Sequence, residues 1–325
     1  SAAAVVTGMV PGALGSDGGG SVRGPNHYCG TYGIKASFGR IPLYPGCRDT
    51  RYPGFSGWES LEHIGPITRT VTDAALMMDV LVGPDPRDRH SLPREVATFA
   101  DLNDASVSGL RIAWTTDFGG YARADADVCR AVEAAARTFE RLGAHVENAT
   151  PFTKDPSATF RALVALDFDI PGMRSMVAKQ PDAVNAAIAR LMAQEWTFED
   201  ASNALNARRE LYNLAWPFFQ TYDLLLTPTM ATAAFAYDQP SPPSVGGVPV
   251  PPDGGVVSFT NPWNMTGYPA ASIPCGWSDD GLPIGLQIVG GHLQDQLVLR
   301  ASRAFEQAAP WAASYDRLDA IMAAT

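Results

Sequence analysis

The sequence feature that most limits what this chain can be is a run of three glycines followed by a serine, at residues 18–21. Glycine weakens both helices and strands, so the run does not serve regular secondary structure. Without side chains, successive backbone N–H groups can turn toward one point, and such a cluster binds an anion or a developing oxyanion. The Ser21 hydroxyl follows directly. The stretch therefore places a nucleophile beside a site for negative charge, which is what acyl transfer requires.

Three other interpretations of this stretch compete with a catalytic one. A glycine–serine run is typical of a flexible linker. A phosphate loop requires GxxxxGK[ST], and no lysine follows these glycines. The G-x-S-x-G elbow of serine hydrolases is not met, because Arg23 occupies the place of the last glycine. The setting favours a structured site: an uncharged, small-residue stretch at 2–14, interpreted as a buried helix or strand, precedes the glycines.

Composition excludes several function classes. The net charge of −10 argues against binding a phosphate backbone, so we expect no nucleic-acid partner. No run of apolar residues is long enough for a membrane span and no signal peptide is evident, so we expect no membrane partner and a cytoplasmic location. The four cysteines are scattered and the five histidines form no i, i+4 pair. We therefore expect reduced thiols, no metal site and no cofactor.

Hydrophobic periodicity predicts an α/β fold. A strand at 110–114, an amphipathic helix at 125–142 and a second strand at 144–147 form a β-α-β unit, which is typical of a layered sheet with right-handed crossovers. Further elements are predicted by the same patterns: helices at 73–82 with Thr72 as N-cap, at 158–168, 183–196, 198–219 and 295–309, and a buried strand at 223–229.

Residues 1–23 and 29–40 resemble the second half of the amidase signature and its continuation. A second dense match lies at 258–306, and looser ones lie between. The resemblance implies the amidase-signature fold, a large twisted mixed β-sheet covered by α-helices on both faces. It also implies a single domain over 1–325: a signature core at 1–83, a β-α-β unit and helical substrate-covering region at 84–220, and a segment at 221–325 that completes the sheet.

The resemblance assigns roles to the residues of the glycine stretch. Ser21 matches the acylated nucleophile, and the N–H groups of Gly18, Gly19 and Gly20, with that of Ser21 itself, match the oxyanion hole. Asp17 and Arg23 are expected to tie the loop down, and contact of Arg23 with a substrate carboxylate is the alternative. Family members usually carry a threonine or an isoleucine-like residue at the position of Gly18. We therefore expect a looser loop here.

The family's proton acceptor is where the chain departs from the pattern. The resemblance implies a Ser-Ser-Lys triad whose lysine and bridging serine both lie upstream of Ser1. The chain has three lysines. Lys35 matches a structural position, and Lys154 and Lys179 are expected on the surface. We therefore expect the printed chain to be the larger C-terminal part of an amidase and to be inactive by itself.

The expected reaction is hydrolysis of an amide-type carbon–nitrogen bond through a seryl ester. Aromatic residues in the loop at 41–60 (Tyr44, Tyr52, Phe55 and Trp58) either line the substrate pocket or pack within a surface loop. The resemblance implies that the apolar segment 166–176 contacts substrate, and the alternative is that it belongs to the core. They favour a hydrophobic amide, anilide or aryl carbamate, the last being urethanase chemistry. Two alternatives stay open: the glutaminase subunit of a tRNA-dependent amidotransferase, and a non-catalytic binding protein if the native chain begins at Ser1. Self-association into a homodimer is also left open.

Overall fold

The protein is built on an eight-stranded mixed β-sheet. The structure is a computed structural model that describes residues 1–44, 58–94, 98–239, 241–250 and 256–316. The strands of the sheet are β1 (Gly12–Asp17), β2 (Tyr32–Lys35), β3 (His63–Thr68), β4 (Arg111–Trp114), β5 (His145–Asn148), β6 (Leu224–Pro228), β9 (Ala270–Trp277) and β10 (Pro283–Gly290). A separate pair consists of β7 (Ser244–Val245) and β8 (Val248–Pro249).

Helices connect and cover these strands. They are α1 (Ala2–Val6), α2 (Arg23–Cys29), α3 (Val71–Leu81), α4 (Ala126–Arg141), α5 (Ser157–Asp167), α6 (Ile170–Lys179), α7 (Ala186–Ala193), α8 (Phe198–Thr221), α9 (Asn261–Thr266) and α10 (Asp295–Ala308). The strand order in the sheet is β1-β3-β2-β9-β10-β6-β4-β5. β4 pairs in parallel with both β5 and β6, whereas the other pairings are antiparallel. The predicted β-α-β unit is therefore present as β4-α4-β5.

Two hydrophobic cores lie on opposite faces of the sheet. Successive side chains of a strand point to opposite faces, and in β6 Leu224 and Leu226 belong to one core while Leu225 belongs to the other. The first core also contains buried residues of α3, α4 and α10, and the second contains those of α5, α8 and α9. Helices thus cover both faces, and the fold expected from the family resemblance is confirmed.

The segment 2–14 differs from the expectation of one buried element. It forms the short helix α1 and then enters β1, with Met9 77% exposed and Leu14 47% exposed. β1 stands at the end of the strand order, and β3 is its partner among the described strands. An edge strand presents unpaired N–H and C=O groups along one side.

Proline and glycine account for most of the helix boundaries that the pattern misplaced. The pattern does not predict α2 because Gly24 and Pro25 interrupt it, yet Pro25 lies in the first helical turn, where no N–H is needed. α6 likewise begins at Ile170 and includes Pro171 and Gly172, where a break was expected, because the Asp169 side chain accepts a hydrogen bond from the Gly172 N–H at 3.1 Å. Thr70, not Thr72, caps α3.

Candidate active site

The glycine stretch forms a tight turn between β1 and α2. Ser21 is exposed at this turn, and its hydroxyl makes no hydrogen bond to any residue that the structure describes. Within the same part of the chain, the N–H groups of Gly18, Gly19 and Ser21 have no acceptor. Free main-chain donors next to a free hydroxyl are the elements of a nucleophile with an oxyanion site.

The Gly20 N–H is already occupied. It donates to Asp17 Oδ1 at 2.7 Å in buried surroundings, which differs from the expectation that Gly20 supplies an oxyanion donor. Glycine is required here for another reason. Its φ is +133°, and an added Cβ would lie 2.7 Å from the hydroxyl oxygen of Thr260. Gly20 therefore shapes the turn, while the free donors are its neighbours.

Asp17 and Arg23 form a fully buried ion pair beneath the turn. Arg23 Nε donates to Asp17 Oδ2 at 2.9 Å, and Nη2 donates to Oδ1 at 2.8 Å. The remaining donors reach the Thr260 carbonyl, Gln287 Oε1 and Asn264 Oδ1, at 2.9, 2.7 and 2.6 Å. A guanidinium has five N–H donors, and these bonds use all of them. Arg23 therefore has no N–H left for a substrate carboxylate.

The ion pair fixes the charge state of Asp17. Burial alone would raise the pKa of this carboxyl, but the charge and hydrogen bonds of Arg23 outweigh burial and hold the pKa well below its usual range. The backbone N–H groups of Gly20, Val22 and Arg23 also point at this carboxylate. Asp17 is thus an anion that binds the turn at three points along the chain.

Sequence reasoning gave no role to the residues that complete this network. Asn264 is fully buried, and its Nδ2 donates to the Asp17 carbonyl at 2.6 Å and to Oδ1 at 2.9 Å. The Thr260 hydroxyl donates to the Gly19 carbonyl at 2.6 Å. Gln287 of β10 donates to the Phe259 carbonyl at 2.7 Å. All lie in the second dense family match at 258–306, which was the available signal.

An aromatic ring fills the space over Gly18. A Cβ at this position would lie 2.5 Å from Trp58 Cε3, so the glycine here admits the indole. The expectation that Gly18 loosens the loop omitted this contact. Trp58 itself has φ +62°, a conformation that costs a bulky residue about 1–3 kcal/mol and is typical of functional sites.

Hydrogen bonds hold the Trp58 segment in this position. Arg208 of α8 donates to the Ser60 carbonyl at 2.7 Å and to the Met265 carbonyl at 2.7 Å. Asp167 accepts from the Ser60 N–H at 2.9 Å. Phe168 stands edge-on to the indole, with ring centroids 6.1 Å apart. The strained Trp58 is therefore supported from α5 and α8.

A cavity of about 350 Å³ opens beside the indole. We call it the aromatic pocket. Its lining comes from Trp58, from α5, from α7 and from the start of α9: Trp58, Ser157, Phe160, Arg161, Val164, Ala187, Ile188, Arg190, Leu191, Gln194, Val257, Ser258 and Asn261. Phe160 also covers Gly19, since its ring atom Cζ lies 2.7 Å from where a Cβ would be. The pocket thus adjoins the glycine turn.

The pocket revises the predictions about substrate-contacting segments. Residues 166–176 were expected either to touch substrate or to belong to the core, and none of them lines the aromatic pocket. Met173 is buried in the second core instead. Of the aromatic loop residues, Trp58 lines the pocket, Tyr44 is exposed beneath Arg87, and Tyr52 and Phe55 lie outside the described residues.

The lysines occupy two kinds of environment. Lys35 is fully buried, and its Nζ donates to the Tyr268 carbonyl at 2.5 Å. Burial lowers the pKa of this amine well below its ordinary value. Lys154 and Lys179 are exposed, as expected.

His27 is held in one neutral form between α2 and β10. Its Nε2 faces the Thr232 carbonyl at 3.0 Å, and its Nδ1 accepts from the Gly285 N–H at 2.9 Å. A carbonyl can only accept, so Nε2 carries the proton and Nδ1 does not. Burial lowers the pKa of His27 to about 4. The imidazole is therefore a neutral structural bridge behind the turn.

The family of the chain follows from comparison with known proteins. A family model described as Amidase matches residues 1–299. An acylamidase from Rhodococcus erythropolis is 36% identical over 318 residues, covering 95% of this chain and 64% of the relative. A glutamyl-tRNA(Gln) amidotransferase subunit from Geobacillus thermodenitrificans is 33% identical over 345 residues, covering 95% and 66%.

A solved structure supports the same assignment. A bacterial aryl acylamidase of the amidase signature family superposes with a TM-score of 0.81 at 32% identity, covering 98% of this chain and 66% of that one. The chain therefore belongs to the amidase signature family. It spans 64–66% of the length of these relatives. In the part of the chain that the structure describes, no helix is long and apolar enough to cross a membrane.

Replacing Arg23 tests whether the buried ion pair supports the turn. Arg23→Met leaves the Asp17 carboxylate buried without its main counter-charge, so we expect the free energy of unfolding to fall by about 3–5 kcal/mol. Arg130→Met is the matched control, because Arg130 pairs with Asp279 in solvent, at 2.8 Å with both side chains more than half exposed. An exposed pair contributes about 0–1 kcal/mol. Equal losses in urea titrations of the two variants would contradict the assignment.

Acidification should weaken the fold through His27. The pKa of His27 is about 4 in the folded protein against an ordinary 6.5. Between these two pH values the imidazole is protonated in the unfolded chain and neutral in the folded protein. Stability is therefore lost as the pH falls from 6.5 toward 4, by about 3 kcal/mol. We expect His27→Gln to reduce the pH dependence of the free energy of unfolding between pH 6.5 and 4 relative to the parent chain. His145→Gln, at an exposed site, should leave that pH dependence unchanged. Parallel pH profiles for all three proteins would refute the assignment.

Proposed function

We propose that this chain carries the nucleophile, the oxyanion site and the substrate pocket of an amide hydrolase. The observation that supports this most is the exposed Ser21 hydroxyl beside the free N–H groups of Gly18, Gly19 and Ser21, at a turn fixed by a buried ion pair. Membership of the amidase signature family supports the same chemistry.

In the proposed mechanism Ser21 Oγ attacks the substrate carbonyl and forms a tetrahedral intermediate. Its oxyanion is stabilised by the N–H groups of Gly18, Gly19 and Ser21, each such donor contributing on the order of 10²–10³ in rate. The leaving amine departs with a proton, and water then hydrolyses the seryl ester. Asp17 and Arg23 act by positioning the turn. The proton acceptor is the lysine–serine pair that the family resemblance places before Ser1.

The aromatic pocket favours an aryl or otherwise apolar substrate. Its lining includes the rings of Trp58 and Phe160 and aliphatic side chains of α5 and α7, together with polar side chains of the same helices. Anilides and aryl amides suit such walls, and the acylamidase and aryl acylamidase relatives have names that agree with this class. Aryl carbamates present a similar carbonyl and are included in the proposal.

A glutaminase role is the second candidate, because amidotransferase subunits are also relatives at 33% identity. The Trp58 and Phe160 rings and the aliphatic walls of the aromatic pocket would meet no apolar counterpart in glutamine, whose side chain is a short carboxamide. The anilide hydrolase is therefore the better match. Glutaminase turnover exceeding anilide turnover would reverse this order.

Removing the nucleophile tests the mechanism directly. In a preparation that includes the upstream residues, we expect Ser21→Ala to lower anilide kcat by a factor on the order of 10⁶. The melting temperature should stay the same, because Ser21 is exposed and its hydroxyl binds no described residue. Ser16→Ala, at an exposed serine of β1, is the matched control and should keep full activity. Near-normal turnover by Ser21→Ala would remove this serine from the mechanism.

A second experiment tests the origin of the proton acceptor. The protein of residues 1–325 and a longer protein that includes the residues encoded upstream are assayed. The substrates are anilides, aliphatic amides, aryl carbamates and glutamine. We expect activity in the longer protein alone, with anilides and aryl carbamates preferred. Activity of the printed chain by itself would show that the proton acceptor lies within residues 1–325. Inactivity of both forms would favour the non-catalytic alternative.

A further inference from the structure

One buried polar atom, in a residue that lines the aromatic pocket, has no partner among the described residues. Asn261 is 1% exposed, and its Oδ1 makes no hydrogen bond with this part of the chain. The same residue lines the aromatic pocket. Leaving a buried acceptor unsatisfied costs roughly 1–3 kcal/mol, and such atoms are rare enough in native proteins that each needs a reason.

A neighbouring asparagine shows what a structural role in this helix looks like. Asn264 lies three residues further along α9, and its carboxamide bonds to Arg23, to Asp17 and to the Leu61 carbonyl. Within the ranges that the structure describes, the Asn261 side chain makes none of these bonds, although it is buried to the same degree. Asn261 therefore does not hold these protein segments together through its carboxamide.

The backbone places Asn261 firmly with respect to the oxyanion site. Thr260, the preceding residue, donates from its hydroxyl to the Gly19 carbonyl at 2.6 Å, and its carbonyl accepts from Arg23 Nη1 at 2.9 Å. The Asn261 N–H donates to the Val257 carbonyl at 3.1 Å. The side chain is thus attached to a segment that is bound directly to the glycine turn, as a group that orients substrate must be.

Apolar side chains form a large part of the surroundings of Asn261. The Trp58 and Phe160 rings lie 6.0 Å apart at 54°, and Val164, Ile188 and Leu191 add apolar surface. In such a low-dielectric site a hydrogen bond is stronger than in water, and an unmatched partner is costly. A site built to bond a substrate hydroxyl or amine discriminates against the analogue that lacks it.

We infer that Asn261 is a specificity-determining residue, and that the aromatic pocket takes an aryl group bearing a hydrogen-bonding substituent such as a hydroxyl. A carboxamide presents one acceptor and one donor end, and a hydroxyl can bond either. The inference rests on the proposed function, because it treats the aromatic pocket as the place where the aryl part of the substrate binds.

The test compares ligands that differ only in this bond. The 2-, 3- and 4-hydroxybenzamides and the corresponding methylbenzamides are titrated by calorimetry into the chain carrying Ser21→Ala, so that no turnover occurs. We expect at least one hydroxy isomer to bind roughly three to ten times more tightly than its methyl counterpart, the range of one neutral hydrogen bond. Asn261→Leu should bring that ratio to about one while the methyl compounds still bind.

Two further measurements separate specificity from folding. Asn203→Leu makes the same chemical change at an exposed asparagine that lines a neighbouring cavity, and it should keep the hydroxyl preference. Asn261→Leu removes an unsatisfied buried acceptor, so its free energy of unfolding should equal or exceed that of the parent.

Three results would overturn the inference. The first is a hydroxyl preference that survives in Asn261→Leu, and the second is a stability loss in that variant with an unchanged ratio. The third is failure of all six benzamides to bind. None of them decides the proposed function, which is judged separately by Ser21-dependent turnover in the longer protein.

Discussion

A buried ion pair joins three parts of this protein that are distant in sequence. Asp17 ends β1, Arg23 begins α2, and the pair is closed by Asn264 of α9 and Gln287 of β10. Taking two charges out of water is expensive, and it is tolerated only when every donor and acceptor is matched. Here the matching groups include the N–H groups of the turn that carries Ser21. The geometry of the proposed nucleophile therefore depends on a buried pair of charges.

The second determinant of the site is steric. Gly18 has no side chain, and the Trp58 indole occupies the space that a Cβ at this position would need. The indole adopts an unfavourable backbone angle to do so, with support from the Ser60–Arg208 and Ser60–Asp167 bonds. One small residue in the turn thus couples the proposed oxyanion site to the wall of the aromatic pocket. Changes in the loop at 58–60 and changes in the turn are therefore not independent.

The sequence predicted the sheet and the turn well and the partners of the turn poorly, for identifiable reasons. The β4-α4-β5 unit has a clear period, and the glycine run has few uses other than a turn rich in N–H groups. By contrast, the bond from Gly20 to Asp17 depends on a φ of +133°. Any glycine can adopt such an angle, and the sequence does not show which glycines do. Arg23 was expected to be able to reach substrate because a sequence does not show that Thr260, Asn264 and Gln287 consume its donors. Such contacts join residues that are far apart along the chain, so local sequence patterns do not predict them and the folded structure is needed to identify them.

The position of β1 at the end of the sheet has a consequence for how the chain behaves in solution. Along one side, its peptide groups pair with no described strand, and such an edge can template the addition of a strand from another molecule. The net charge of −10 opposes that approach through repulsion between chains. Salt screens the repulsion and leaves hydrogen bonding intact, so the colloidal stability of this chain falls as ionic strength rises.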